Sequence, residues 1–179
     1  MNVKYFYPIS SDTEYLLSYI QSLNKKYDIL LEIGTGNGHI IRNVNSKIKI
    51  ATDVNLNALK SLSNYKNTLI HCDLFDILDD KLVDLVIFNT PYIPSIPDIP
   101  CFYSNNLNLY ECQCENCLIN YSLYDNISNG SILERFLKNI TAKEFIILVH
   151  VSKNVNHELY DIKTIDRVVY GERLRILHG

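Results

Sequence analysis

Residues 28–38 read DILLEIGTGNG: an apolar run that stops on a glycine and passes into glycines at every second position. A continuous apolar stretch of this length, ended by glycine, is the pattern of a strand buried on both faces. Gly34, Gly36 and Gly38 permit a tight turn and let backbone amides approach a ligand, and the helical pattern that follows offers its positive N-terminal end. A dinucleotide site has G-x-G-x-x-G, but here the residue after Gly38 is His39, so the spacing departs from that fingerprint.

Outward from this stretch, helix-period and strand-period segments alternate. Upstream, SDTEYLLSYIQSLNKK opens with Ser11 and Glu14 at capping-box spacing and carries Tyr15, Leu16, Tyr19, Ile20 and Leu23 on one helical face. Downstream come a short helix near 37–44, a strand in KIKIATD, and a helix in NLNALKSL capped by Asn55. Strands in NTLIHCD and LVDLVIFN follow. The periodicity lapses over residues 90–129, where Pro91, Pro94, Pro97 and Pro100 forbid regular structure at first. GSILERFLKNI restores a helix and EFIILVHV a strand, and KTIDRVVYGERLRILHG reads as an antiparallel hairpin about Tyr170 and Gly171. Such alternation implies right-handed crossovers and an α/β fold, with a mostly parallel sheet covered by helices on both faces.

Ligands of such sheets bind at the C-terminal ends of the strands. Glu32 and the glycines end the first strand. Asp53 ends the second, where a carboxylate can accept from both hydroxyls of a ribose; Asp73 follows the third, placed to accept from an exocyclic amine such as that of adenine. Each acidic residue alone reads as well as a helix cap or a solvated side chain. Together, at successive strand ends, they suit one nucleoside-like ligand. The fourth strand runs into Asn89, Thr90, Pro91 and Tyr92. The Asn89 side-chain oxygen and the residue 90 carbonyl are two acceptors side by side, able to hold both hydrogens of an NH2 group, and Tyr92 offers a flat apolar face.

Bulk properties bound the reading. A chain of 179 residues fits one domain, 1–179, since this size buries about 70% of its unfolded surface. A net charge of -3 with scattered basic residues supplies no electrostatic source for extensive phosphate contact, which argues against a stable nucleic-acid complex. No leader pattern and no run of eighteen apolar residues occurs, so a cytosolic or nuclear protein without a membrane segment is expected. Five cysteines suit reduced thiols there. Cys101, Cys112, Cys114 and Cys117 would provide enough thiolates for zinc, yet they lack paired Cys-x-x-Cys knuckles. The expectation is a thiol-bearing, substrate-facing lid and no metal site.

EIGTGNG, TDVN, CDLF, VDLVIFNTPYIPS and the upstream YPISSDTEYLL resemble the class I S-adenosylmethionine-dependent methyltransferases. Within them they resemble the HemK-type glutamine methyltransferases of release factors, in their short eukaryotic and archaeal branch. The resemblance implies a Rossmann-like, seven-stranded sheet ordered 3-2-1-4-5-7-6. It implies that Thr13, Glu32, Gly34, Gly36, Asp53, Asp73, Leu74 and Asn89 line S-adenosyl-L-methionine, and that Asn89, Thr90, Pro91 and Tyr92 hold the acceptor. The implied substrate is the glutamine of a Gly-Gly-Gln loop in the eukaryotic class-1 translation release factor. The implied partner is a small zinc-binding activator protein, and the apolar edge strand at 67–71 suits strand addition by it. Thr90 stands where the family's Asn-Pro-Pro-Tyr has proline, so a modest loss of preorganisation is expected, with the backbone carbonyl retained. The same motif also fits an adenine-amine methyltransferase on DNA or RNA, or a catalytically silent donor-binding scaffold. A nicotinamide oxidoreductase is disfavoured by the glycine spacing.

Overall fold

The run at 27–33 forms an inner strand of a seven-stranded sheet, third in its order. The computed structural model describes residues 7–74, 79–92, 118, 131–151, 162–169 and 171–179. Its strands are β1 (Tyr27–Ile33), β2 (Ser46–Asp53), β3 (Thr68–His71), β4 (Leu85–Asn89), β5 (Phe145–His150), β6 (Lys163–Val169) and β7 (Glu172–His178). Their spatial order is β3-β2-β1-β4-β5-β7-β6, as expected. β1 pairs in parallel with β2 through Glu32 opposite Ala51, and with β4 through Glu32 opposite Ile87. β7 runs antiparallel to both β5 and β6, closing the C-terminal hairpin at Gly171, whose φ of +88° favours glycine.

The apolar runs are continuous because both faces are covered. Leu30, Ile87, Ile146, Leu148 and Ile176 face one core, with Leu16, Leu17 and Ile20 of helix α1 (Ser11–Ser22). Their chain neighbours Leu31, Val86, Phe88 and Ile147 face the other core, with Leu133, Phe136 and Leu137 of helix α4 (Ile132–Asn139). This alternation is the two-residue period of a strand, and each fully buried side chain of this size contributes about 1.5–3 kcal/mol of hydrophobic stabilisation. Two short helices, α2 (His39–Asn43) and α3 (Leu56–Ser61), follow β1 and β2. At the N-terminal ends of the parallel strands Glu144 gathers Lys25 at 2.9 Å and His178 at 2.7 Å, and His178 also meets the Tyr19 hydroxyl at 2.7 Å.

Three boundaries differ from the sequence expectation. The first helix is capped at Ser10, whose carbonyl accepts from the Glu14 amide at 3.1 Å, and no side chain caps it. Glu14 turns instead toward His39 Nε2, 2.9 Å away, so the capping box does not form. That helix also stops earlier, ahead of Asn24 at φ +50°. Leu82 lies in a 3₁₀ turn (Asp80–Leu82) rather than in β4, because the buried Asp80 carboxylate accepts from the Thr141 and Ala142 amides at 3.0 and 3.1 Å and draws the chain across. The Asn55 cap forms as expected, its side chain accepting from the Asn57 amide at 2.9 Å. Cys101, Cys112, Cys114 and Cys117 lie outside the described residues.

Candidate active site

Parallel pairing sets the C-terminal ends of β1, β2, β3 and β4 along one rim of the sheet, with β1 and β4 adjacent where the strand order reverses. That rim is where such a sheet accepts ligands. The glycine loop after β1 is shaped by its own backbone: Gly34, Gly36 and Gly38 have φ of +63°, +52° and +73°. A Cβ on Gly38 would sit 2.6 Å from Leu62 Cδ2, so close packing favours glycine there, whereas a Cβ on Gly36 would meet nothing within 4 Å among the described residues. The space beside Gly36 is therefore open to a ligand.

Asp53 is tied to that loop. Its Oδ2 accepts from the Gly36 amide at 2.8 Å and its Oδ1 from the Asn55 amide at 2.7 Å. Burial pushes its carboxyl up to about 6, against the opposing pull of those two amides. Glu32 ties the loop from the other side. Its Oε2 accepts from Thr35 Oγ1 at 2.7 Å and from the Ile41 amide at 3.1 Å, joining β1, the loop and α2. Burial raises its carboxyl to about 8. Beyond β3, Asp73 Oδ2 pairs with the Arg135 guanidinium of α4 at 2.6 Å, and Leu74 beside it is buried at a positive φ of +46°.

The end of β4 carries the most directed geometry. Asn89 Nδ2 donates to Asp12 Oδ2 at 3.2 Å, and Asp12 is itself buried in the first turn of α1. Its other oxygen accepts from the Thr13 amide at 2.7 Å and from the Ser10 hydroxyl. Asn89 Oδ1 is buried and has no hydrogen-bond partner among the described residues. A buried acceptor without a donor costs about 1–3 kcal/mol, a cost that a ligand N–H would relieve. Thr90 donates through both its amide and its hydroxyl to the Leu148 carbonyl of β5, at 3.2 and 2.7 Å. Tyr92 stacks on His150 with ring centroids 6.3 Å apart, and its hydroxyl donates to Glu172 Oε2 at 3.1 Å. Burial, and then the nearby Asp12 charge, hold that phenol well above its ordinary range.

The structure thus brings Thr13, Gly36, Asp53, Asp73 and Asn89 to one rim and keeps Glu32 behind the loop as its brace. Sequence reasoning passed over Asp12 and Arg135. Asp12 lies inside the YPISSDT stretch already singled out, so an acidic residue in a helix's first turn was its available signal; Arg135 had none. A separate shallow groove at the other end of β2 and β3 is lined by lysines that serve the chain itself: Lys47 pairs with Asp28 at 2.8 Å and Lys49 donates to the Ile41 carbonyl at 2.7 Å.

Solved structures share this architecture. A chain of the E. cuniculi Mtq2–Trm112 complex, responsible for the methylation of the eRF1 translation termination factor, matches at a TM-score of 0.68 and 23% identity over 97% of each chain. The chain has the class I methyltransferase fold. The ribosomal protein L11 methylase of Lactobacillus delbrueckii subsp. bulgaricus matches at 0.58 and 12% identity, over 97% of this chain and 81% of that one. The N-methyltransferase NodS of Bradyrhizobium japonicum, in complex with S-adenosyl-L-homocysteine, matches at 0.53 and 10% identity, over 93% and 86%. No protein-family model matches the sequence. No curated protein matches it either. At these identities the likeness is one of fold, and the chemistry rests on the residues just described.

Proposed function

We propose that the chain is an S-adenosylmethionine-dependent methyltransferase acting on an amide nitrogen, the glutamine of a Gly-Gly-Gln loop in a class-1 translation release factor. The observation that carries this reading is Asn89 Oδ1: buried, without a partner among the described residues, and fixed in direction because Asp12 holds the amide's other end. An acceptor so fixed asks for an N–H.

The donor site fits the residues present. Space opens beside Gly36, Asp53 is an acceptor at its edge, Asp73 is held at the next strand end, and Thr13 adjoins Asp12 on α1. When bound, S-adenosylmethionine would supply an electrophilic sulfonium methyl, taken up by the amide nitrogen in exchange for one of its protons, with S-adenosylhomocysteine as the leaving product. The chain's own residues do the positioning. An amide nitrogen is a poor nucleophile because its lone pair is delocalised. Asn89 Oδ1 and the Thr90 carbonyl, holding both of its hydrogens, favour the geometry that frees the pair, while the Tyr92 ring bounds the plane.

A small zinc-binding activator is the proposed partner, seated along the edge strand at 67–71. Leu69 and Ile70 of β3 are only partly buried there, and β3 pairs with β2 alone. The Mtq2 structure, itself a complex concerned with eRF1, is consistent with both the substrate and a partnered state. Charge placed at Leu69 and Ile70 should release the partner; a partner that stays bound overturns this interface.

The test is incorporation of labelled methyl into recombinant release factor and into a Gly-Gly-Gln peptide, with Asn89→Ala as control and an adenine-bearing oligonucleotide as a competing acceptor. Transfer to the release factor, abolished by the substitution, supports the reading. Transfer that survives in Asn89→Ala sinks the site, transfer to the oligonucleotide reassigns the substrate, and donor binding without any transfer marks a silent scaffold.

A further inference from the structure

We infer that Thr90 is a positioning residue for its own carbonyl, its amide and its side-chain hydroxyl together doing, through two hydrogen bonds to Leu148, what a pyrrolidine ring would do by covalent restraint. This rests on the proposed amide-methylation reading of the site. A proline at position 90 would lack the N–H that reaches the Leu148 carbonyl, and Leu148 is fully buried, so its carbonyl would lose that donor. Threonine provides two donors to the same oxygen, at 3.2 Å from nitrogen and 2.7 Å from Oγ1.

Three restraints then act on one residue. The N–H fixes the plane of the 89–90 peptide. The hydroxyl bond locks χ1 and so the Cα frame, which a β-branched side chain already limits. Pro91 confines ψ of residue 90 to extended values. With the peptide plane, Cα and ψ all set, the carbonyl direction is set too. The motif is thereby held from separate elements: Asn89 by Asp12 of α1, Thr90 by Leu148 of β5, and the Tyr92 ring by His150, also of β5.

The experiment compares Thr90→Val, which keeps shape and N–H but loses the hydroxyl, with Thr90→Ser, which keeps both donors. The readouts are single-turnover methyl transfer to the Gly-Gly-Gln peptide, donor affinity by calorimetry, and hydrogen exchange at the residue 90 amide. Thr90→Val should slow transfer about tenfold, the worth of one hydrogen bond to a buried group, with donor affinity little changed and the amide exchanging faster. Thr90→Ser should recover most of the lost rate. Equal transfer in Thr90→Val and wild type, or a loss that serine does not recover, overturns the inference. If wild type binds donor yet methylates no Gly-Gly-Gln substrate, the amide-methylation reading has failed on its own. Exchange then decides the anchor: an amide equally protected in wild type and Thr90→Val overturns it, and one that opens in Thr90→Val sustains it.

Discussion

Asn89 and Asp12, 77 positions apart, meet through one hydrogen bond of 3.2 Å that gives the Asn89 amide a direction. The Asp12 oxygen is the acceptor, so it selects the Nδ2 end of the amide and turns Oδ1 to the opposite side. The helix that follows the tyrosine-proline segment therefore reaches the end of β4, and is not merely a cover for the sheet.

Replacing Asp12 by alanine should leave the Asn89 amide free to rotate and lower turnover roughly 10- to 100-fold, since misorientation of a positioning group is felt directly in rate. Asp12→Asn, which retains an acceptor oxygen, should fall between. Steady-state assays with kcat and KM resolved would show this as a kcat effect. Wild-type turnover in Asp12→Ala would remove Asp12 from the site.

Arg135→Met should act on the donor instead. The Arg135–Asp73 pair at 2.6 Å is partly buried and joins α4 to the end of β3. Without its cation Asp73 loses a fixed orientation, and donor affinity should weaken about tenfold, as expected for a charge-assisted bond of this kind. Turnover at saturating donor should be near wild type. Calorimetry with S-adenosylhomocysteine distinguishes this outcome from a general loss of fold.

These two pairs mark where the sequence stops being legible. The strands at Tyr27–Ile33, Leu85–Asn89 and Phe145–His150 are readable because their burial on both faces leaves an uninterrupted apolar run. Gly36, Asp53 and Asn89 are readable as candidates because strand ends are where sheets of this kind accept ligands. Asp12, Arg135 and the Thr90–Leu148 bonds are not, because each is defined by a partner 58 to 77 residues away. The bonds of Glu32 are not legible either, since nothing local says that its oxygen meets the Ile41 amide of the next helix. The strand order itself came from the family resemblance; alternation alone fixes only a parallel sheet.

Alanine at Gly36 and at Gly38 should separate binding from folding. Both glycines have positive φ, so each substitution costs about 1 kcal/mol in backbone strain. Gly38→Ala adds a clash with Leu62 and should lower Tm by several degrees more than Gly36→Ala. Gly36→Ala clashes with nothing among the described residues, yet its methyl enters the space assigned to the donor. It should lose donor affinity by more than tenfold while remaining folded. Unchanged donor affinity in folded Gly36→Ala would place the donor elsewhere.

The buried carboxyls set a pH dependence whose sign can be worked out. Burial raises Glu32 from 4.5 to about 8 and Asp53 from 3.8 to about 6, so across these windows the folded chain keeps protons that the unfolded chain has released. Unfolding then releases protons, and stability falls as pH rises, most of all between 4.5 and 8 through Glu32. Asp84 and Asp166 are held low by Lys143 and Arg175; they contribute stability above the ordinary value of 3.8 and lose it only in stronger acid, so they do not mask the effect. The ligand-free protein should accordingly melt at a higher temperature at pH 5.5 than at pH 8, and Glu32→Gln should flatten that slope. A hydroxyl donor on the ligand favours ionised Asp53, so the increase in Tm produced by S-adenosylhomocysteine should grow as pH rises through about 6. Scanning fluorimetry at several pH values, with and without the ligand, reads both trends; a ligand-induced shift that shrinks over that range would disconnect Asp53 from the donor.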